Sequence, residues 1–305
     1  MKIVVTGARG FLGRCLLGIG GDHEWIGWSR EAGQVEGRPC CCVDLTGGAA
    51  LLEALRVHRP DWVIHAAAMT DVDGCERDPA AGRAINVDAV AHLAAACRAT
   101  ETGLVHVSTD YVFDGASGPY REGDTPRPLS TYGALKLESE GLVLGQVERG
   151  IVVRTMWLYG YVKGARPNMI TWPLETLGRG ASLRIVADQW GNPTYGPDLA
   201  RALLGLCETQ GTGLWHMGGG SFMTRREQVV ELATFFGLDA ECVLSTTTAE
   251  LGQPAKRPLR SGLCTEAVEQ QLGWAPMSFI QSLNDLLSNE HFYRDYGHLI
   301  ECKKT

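Results

Sequence analysis

Short apolar runs alternate with amphipathic stretches through the first half of the chain. Strand-like apolar runs lie at residues 3–6, 24–28, 40–43, 62–66, 104–108 and 151–154. Helical spacing of apolar residues occupies residues 11–17, 49–57, 84–99 and 132–147. Strands that alternate with helices are typical of a parallel sheet covered on both faces. The pattern therefore predicts an α/β fold built on a doubly wound parallel sheet.

After Trp157 the regular alternation of strand-like and helical stretches ends. Helices are expected at residues 169–177, 198–207, 225–236, 265–272 and 278–288, with short strands at 183–186 and 214–217. This half is expected to form a smaller α+β domain. We therefore expect two domains, residues 1–160 and 161–305, with part of about residues 188–220 returning to the first domain. The mixed tail after Glu290 has no assigned element.

Composition narrows the choice of partners. The 305 residues include 28 Lys and Arg against 35 Asp and Glu, a net charge of −7. Nucleic acids and anionic membranes call for a basic footprint, so neither is expected as a partner. No apolar run is long enough to span a bilayer, and no signal peptide precedes the first strand, so we expect a cytoplasmic protein. The 10 cysteines include no CxxC pair, and no metal site is expected.

Three glycines mark a dinucleotide-binding turn. Gly7, Gly10 and Gly13 directly follow the first strand and open the first helix, which begins with Phe11 and Leu12. Glycine permits the tight turn and a close approach of pyrophosphate to the backbone, while the helix N-terminus offers free N–H groups. This context favours a Rossmann-type, NAD(P)-binding first domain.

The end of the second strand selects the coenzyme. An acidic residue there binds the 2′-hydroxyl of NAD, whereas Arg accommodates the 2′-phosphate of NADP. Ser29 and Arg30 favour NADPH, while Glu31 leaves NADH open. Further cofactor contacts are expected at the ends of the third and fourth strands, from Asp44, Leu45, Ala66, Ala67 and Ala68.

Tyr132 and Lys136 are four residues apart on a predicted helix and so share one face. A nearby ammonium is expected to lower the phenol's pKa from its usual value of about 10, which suits proton transfer to a carbonyl oxygen. Lys136 is also expected to hold the nicotinamide ribose. Thr109, at the carboxyl end of the fifth strand, can hydrogen-bond the same carbonyl oxygen.

These motifs resemble those of the extended short-chain dehydrogenase/reductases, and within them the dTDP-4-dehydrorhamnose reductase family. The resemblance covers about residues 1–290. It rests on the glycine turn, STDYVFDG at 108–115, Tyr132-x-x-x-Lys136, RTMW at 154–157, ADQWGNPTY at 187–195 and Lys256-Arg257-Pro258.

The resemblance implies NADPH-dependent reduction of the 4-keto group of dTDP-4-dehydrorhamnose, or of a closely related nucleotide sugar. It implies that Tyr132 is the proton donor, with Lys136 and Thr109 as its partners, and that Asp110 and Trp157 lie beside the sugar. Met156 replaces the family's usual Ser, which could alter the pocket wall. Some relatives carry magnesium at a dimer interface, but no acidic cluster in this sequence maps onto that site. Whether the chain forms a homodimer is left open by the sequence.

The substrate's diphosphate needs local cations in this acidic protein. Candidates in the second half are Lys163, Arg166, Lys256 and Arg257. Arg257, between Lys256 and Pro258, is the preferred candidate.

Two other functions remain open. The regulatory β subunit of methionine adenosyltransferase resembles this family and carries similar motifs, so a non-catalytic, cofactor-binding partner is the main alternative. The second alternative is a nucleotide-sugar epimerase or 4,6-dehydratase. The dehydratase normally needs Asp-Glu after the catalytic Thr, whereas Thr109 is followed here by Asp110 and Tyr111.

Overall fold

The structure is a computed structural model that describes residues 1–300; the last five residues of the predicted second domain lie outside it. The strands of the first half are β1 (Lys2–Thr6), β2 (Glu24–Ser29), β3 (Gly33–Val35), β4 (Arg38–Cys42), β5 (Trp62–His65), β6 (Gly103–Thr109) and β7 (Gly150–Thr155). The α-helices of the first half are α1 (Phe11–Leu17), α2 (Gly48–His58), α3 (Val72–Arg77), α4 (Pro79–Arg83), α5 (Ala89–Ala99) and α6 (Thr131–Gln146).

Shorter strands characterise the second half. They are β8 (Leu158–Tyr159), β9 (Leu183–Val186), β10 (Trp190–Gly191), β11 (Thr194–Tyr195), β12 (Gly213–His216), β13 (Met223–Thr224) and β14 (Val243–Thr246). The helices are α7 (Thr171–Gly178), α8 (Gly196–Glu208), α9 (Arg225–Phe235), α10 (Thr248–Leu251), α11 (Glu266–Leu272), α12 (Phe279–Leu287) and α13 (Glu290–Ile300).

One eight-stranded sheet organises the molecule. Its order is β12-β7-β6-β5-β1-β2-β4-β3, and every neighbouring pair is parallel except β3 with β4. Apolar residues of α1, α8 and α11 pack on one face, and those of α2, α5 and α6 pack on the other. The six central strands follow the order 3-2-1-4-5-6 of dinucleotide-binding sheets once the β3 hairpin strand is left out. The predicted doubly wound, Rossmann-type fold class is therefore confirmed.

The second half contributes to both parts of the molecule. Strand β12 pairs with β7, and α8 packs against α1, so residues 196–216 extend the main sheet and its helical layer. Helices α7, α9, α12 and α13 surround a separate apolar core that includes Tyr159, Leu174, Phe279 and Phe292. The proposed boundary between the two domains stays a prediction. No helix within residues 1–300 is long and apolar enough to cross a membrane.

Three local features differ from the sequence prediction. Strand β3 forms a hairpin with β4, although no apolar run in the sequence predicts this strand. The turn of the hairpin has positive φ at Glu36 and Gly37. The helix expected from residue 84 begins as a π-helical turn, Ala84–Asp88, before α5. The unassigned tail forms α13, because its apolar side chains, including the fully buried Phe292, find a partner only in the folded second half.

Candidate active site

Two glycines at the turn between β1 and α1, Gly7 and Gly13, have no room for a side chain. Gly7 has a φ of +65°, and a Cβ on it would lie 2.9 Å from the backbone of Ala67. A Cβ on Gly13 would lie 2.3 Å from the carbonyl oxygen of Gly7, which also accepts a hydrogen bond from the Gly10 N–H at 2.8 Å. Because these neighbours are backbone atoms, they cannot move aside. The turn therefore offers the all-backbone surface that close approach of a pyrophosphate requires, and it fits the expected dinucleotide.

The end of β2 combines a hydroxyl with two arginines. The Ser29 Oγ donates to the Glu31 carbonyl at 2.6 Å, and Arg30 is exposed. Arg9, which the sequence analysis missed, reaches the same segment from the glycine turn. Its Nη2 donates to the Ala32 carbonyl at 3.0 Å, and its Nε lies 3.9 Å from the Glu31 carboxylate. Arg9 could have been suspected from its place inside the turn, since that turn faces the end of β2.

The other residues of the predicted cofactor set surround this turn. The Phe11 ring lies where a Cβ on Gly196 would be, and Leu12 is buried beneath the sheet. Asp44 is exposed, and its Oδ1 accepts from the Thr46 N–H and hydroxyl at 2.9 and 2.8 Å, which holds the pKa of this carboxyl below its usual range. Half-buried members of the set are Leu45, Ala66, Ala67 and Ala68.

Tyr132 and Thr109 lie together where β6 meets α6. Ser130 caps α6, its Oγ accepting from the Gly133 N–H at 3.2 Å. A Cβ on Gly133 would lie 2.1 Å from the Tyr111 carbonyl oxygen, so glycine lets α6 begin this close to the end of β6. As a result, the Tyr132 hydroxyl lies near the Thr109 side chain, and the Tyr132 ring packs edge-on against Tyr111 with centroids 5.7 Å apart.

Lys136 lies one turn further along α6 and is 1% exposed. Its Nζ donates to the Val107 carbonyl at 2.8 Å and contacts His106 Nε2 at 3.0 Å. Burial lowers the pKa of Lys136 to about 8, although the Glu140 carboxylate opposes the shift. Lys136 therefore titrates close to neutral pH while remaining mostly protonated there.

The sequence analysis predicts that Lys136 lowers the pKa of Tyr132, but in the folded protein this pKa is raised. Burial raises the pKa of Tyr132 above its ordinary value, and the nearby Thr109 side chain opposes this only in part. The expectation of a lowered pKa took account of the ammonium's charge but not of the loss of water around a buried phenol. Tyr132 is consequently a protonated phenol at neutral pH.

Arg225 lies beside both Asp110 and Trp157. Asp110 is 1% exposed, and burial raises its pKa to about 6. Trp157 has a φ of +44°, a strained value for a residue with a side chain, and strain of this kind clusters at functional sites. The Arg225 guanidinium lies 4.1 Å from the Trp157 ring centroid, and its Nε donates to the Gln189 Oε1 at 3.1 Å. Sequence reasoning missed Arg225, which comes from the distant start of α9.

Arg257 is held by a carboxylate. Its Nη1 and Nη2 donate to the Asp73 Oδ1 and Oδ2 at 2.7 and 2.8 Å. The other cations predicted to meet the diphosphate, Lys163, Arg166 and Lys256, are exposed.

Two neighbouring cavities open beside these side chains. The smaller, of about 370 Å³, is lined by Tyr111, Gln189, Arg225 and Arg257 among others. The larger, of about 510 Å³, shares Arg257 and Gln253 with it and includes Lys256. Neither is lined directly by Tyr132, which approaches the smaller cavity through its contact with Tyr111. Together they form a cleft whose lining includes the cations of Arg225, Lys256 and Arg257 and the carboxylates of Asp71, Asp114 and Asp188.

Two family motifs have structural roles at this edge. The Asn192 amide accepts from the Leu263 N–H and donates to the Leu263 and Gly219 carbonyls, joining three chain segments. Met156 is buried against Gly191 and lines neither cavity, so its replacement of the usual Ser changes the packing behind the site. No group of three potential metal ligands occurs among residues 1–300.

The chain is similar to known reductases along most of its length. Residues 1–292 match the family described as the RmlD substrate binding domain. The chain is 37% identical over 267 residues to a dTDP-4-dehydrorhamnose reductase of Streptomyces griseus, covering 85% of this chain and 84% of that protein. A dTDP-4-dehydrorhamnose reductase from Bacillus anthracis, solved in complex with NADP, superposes with a TM-score of 0.85 at 27% identity, covering 94% of this chain and 98% of the other.

A protein with a different name is similar as well. Methionine adenosyltransferase 2 subunit beta of Danio rerio is 32% identical over 269 residues, covering 86% of this chain and 82% of that protein. Similarity of sequence alone therefore leaves the regulatory alternative open, and the chemistry of the site must distinguish the two.

Proposed function

Because the chain belongs to the RmlD substrate-binding-domain family, we propose that it is an NADPH-dependent reductase of a nucleotide-linked 4-keto-6-deoxysugar. The substrate it fits best is dTDP-4-dehydrorhamnose, reduced to dTDP-L-rhamnose. The observation that carries this proposal is the buried group of Tyr132 and Thr109, close together where β6 meets α6, with buried Lys136 one helical turn away. Because the regulatory β subunit carries similar motifs, turnover of a keto sugar is what distinguishes the two functions.

Tyr132 acts as the acid. When bound by the glycine turn, NADPH supplies the hydride that reduces the ketone. The raised pKa keeps the phenolic proton in place until negative charge develops on the ketone oxygen, and Tyr132 then donates it. Thr109 orients the phenol and stabilises the developing charge. Lys136, a buried cation, stabilises the phenolate that remains.

The cleft would bind the nucleotide sugar through cations and an aromatic face. Arg225 is the stronger candidate for the diphosphate, because within residues 1–300 it makes no ion pair, whereas Arg257 is paired with Asp73. The Trp157 ring would pack against the sugar, and Asp110 would accept from one of its hydroxyls. At the other end of the site, Arg9 and Arg30 would bind the 2′-phosphate of NADPH.

Loss of nicotinamide absorbance tests the proposal. The purified protein is mixed with a dTDP-4-keto-6-deoxysugar and NADPH, and Tyr132→Phe serves as the matched control. Wild type should oxidise NADPH, and the variant should lose about 10²–10⁴ in turnover with little change in NADPH affinity. A variant whose turnover stays close to that of wild type would refute the role of Tyr132.

The regulatory alternative makes the opposite prediction. Its support is the similarity to the Danio rerio β subunit. If wild type binds NADPH but oxidises none in the presence of the sugar, the regulatory function is favoured and the reductase is excluded for that substrate.

A further inference from the structure

A row of buried polar side chains crosses the sheet beside Lys136. The strand register pairs Thr6 with His65 and His65 with His106. Thr6 Oγ1 lies 2.8 Å from His65 Nδ1, and the two imidazole rings stack with centroids 5.4 Å apart and planes 17° apart. Thr6, His65 and His106 are at most 2% exposed. The row ends where His106 Nε2 meets the Lys136 Nζ at 3.0 Å.

This last contact fixes the chemistry of the His106 ring. A lysine ammonium has only protons to donate, so His106 Nε2 accepts from it and the ring proton lies on Nδ1, which is buried without a hydrogen-bond partner within residues 1–300. The Ser139 hydroxyl lies 2.9 Å from the same nitrogen and 2.7 Å from the Lys136 carbonyl, and it has one proton to direct to either of them. A second proton on His106 would place two buried cations in contact. Burial, and then the charge of Lys136, accordingly hold the pKa of His106 well below its usual range.

His106 is the neutral acceptor beside the ammonium. The Glu140 carboxylate, one turn along α6, is already bound by the Arg154 Nε and Nη2 at 2.9 and 2.7 Å and by the Ser108 hydroxyl. Beyond His106, the charge of Lys136 also acts on His65 on β5. His106 and the Val107 carbonyl are therefore the groups that hold the ammonium directly.

We propose that His106 is a positioning residue for Lys136, whose neutral imidazole accepts a hydrogen bond from the ammonium and keeps the lysine both charged and directed along β6. The effect on catalysis rests on the proposed reductase function. The tautomer of His106 and its contact with Lys136 do not, so they are tested separately.

Nitrogen NMR of the full-length protein labelled with ¹⁵N-histidine tests the contact without any activity. The His106 signals are assigned by their loss in His106→Gln. At neutral pH the proposal requires a neutral ring with its proton on Nδ1. A proton on Nε2, or a doubly protonated ring, would overturn it.

The pH dependence of kcat/KM tests the consequence. His106→Leu removes the acceptor, so the ammonium becomes less stable and the alkaline limb should move to lower pH by about one unit. His106→Gln keeps an acceptor on a side chain of similar reach, and His65→Leu leaves His106 in place; both should keep the limb where wild type has it.

The proposal would be overturned if the alkaline limb of the kcat/KM profile did not move in His106→Leu, or if it moved as far in His106→Gln as in His106→Leu. If His106→Leu does not fold, the NMR result on wild type decides. If wild type reduces no keto sugar, the proposed function fails while the NMR measurement still decides the role of His106.

Discussion

Replacing Asp110 with Asn should stabilise the protein and do so only above acidic pH. Burial raises the pKa of this carboxyl from 3.8 to about 6, because its charged form is poorly solvated. A shift of about two units corresponds to about 3 kcal/mol of folding free energy. Asn is close in shape and keeps an oxygen for the hydrogen bond that the Thr109 hydroxyl donates to Asp110 Oδ1 at 3.2 Å.

The direction of the pH effect on stability depends on the pH at which Asp110 loses its proton in the folded and in the unfolded protein. In the unfolded chain Asp110 ionises near its ordinary pKa, whereas in the folded protein it holds its proton until about pH 6. The cost to stability therefore develops as pH rises through this window and is complete above it. Asp110→Asn removes the cost, so the variant should match wild type at low pH and exceed it by up to about 3 kcal/mol at neutral pH.

Chemical denaturation on both sides of the window measures this difference. Asp114→Asn is the matched control, because hydrogen bonds from Tyr120 and the Ala116 N–H hold the pKa of Asp114 below its usual range and reverse the sign. That variant should lose stability at neutral pH. A difference between Asp110→Asn and wild type that does not change with pH would refute the reasoning. Turnover should fall in Asp110→Asn if this side chain contacts the sugar.

Three further substitutions test other parts of the site. Gly13→Ala would place a Cβ 2.3 Å from the Gly7 carbonyl oxygen, so NADPH affinity in a fluorescence titration should fall by about tenfold or more, and unchanged affinity would contradict the packing. Glu140→Gln breaks the buried pair with Arg154 and should cost about 3–5 kcal/mol in denaturation; a loss near zero would mean that the pair is dispensable. Arg30→Ala should reduce the kcat/KM preference for NADPH over NADH by about tenfold, and an unchanged preference would remove Arg30 from the 2′-phosphate site.

Features set by neighbouring residues could be predicted from the sequence. The glycine turn depends on spacing within seven residues, and Tyr132 and Lys136 share a face through helical periodicity alone. The carboxyl end of β6 follows from the apolar run before Thr109. These elements have few alternatives, because local backbone geometry determines them.

Features set by distant packing could not be predicted in this way. Arg225 reaches Trp157 only because the second half folds over the end of the sheet. Arg257 is the predicted diphosphate contact, and its pairing with Asp73 on α3 depends on how the chain folds. The pKa of Tyr132 depends on how much water the assembled site excludes, which no spacing of charges along a helix can give.

Transfer of isotope from the coenzyme to the sugar tests the central claim most directly. NADPH deuterated at the transferring position of C4 is incubated with the nucleotide 4-keto-6-deoxysugar, and the product is examined by mass spectrometry and NMR. The account predicts one deuterium at C4 of the sugar and an equal amount of NADP⁺ formed. A sugar that carries no deuterium, from a protein shown to bind NADPH, would contradict it.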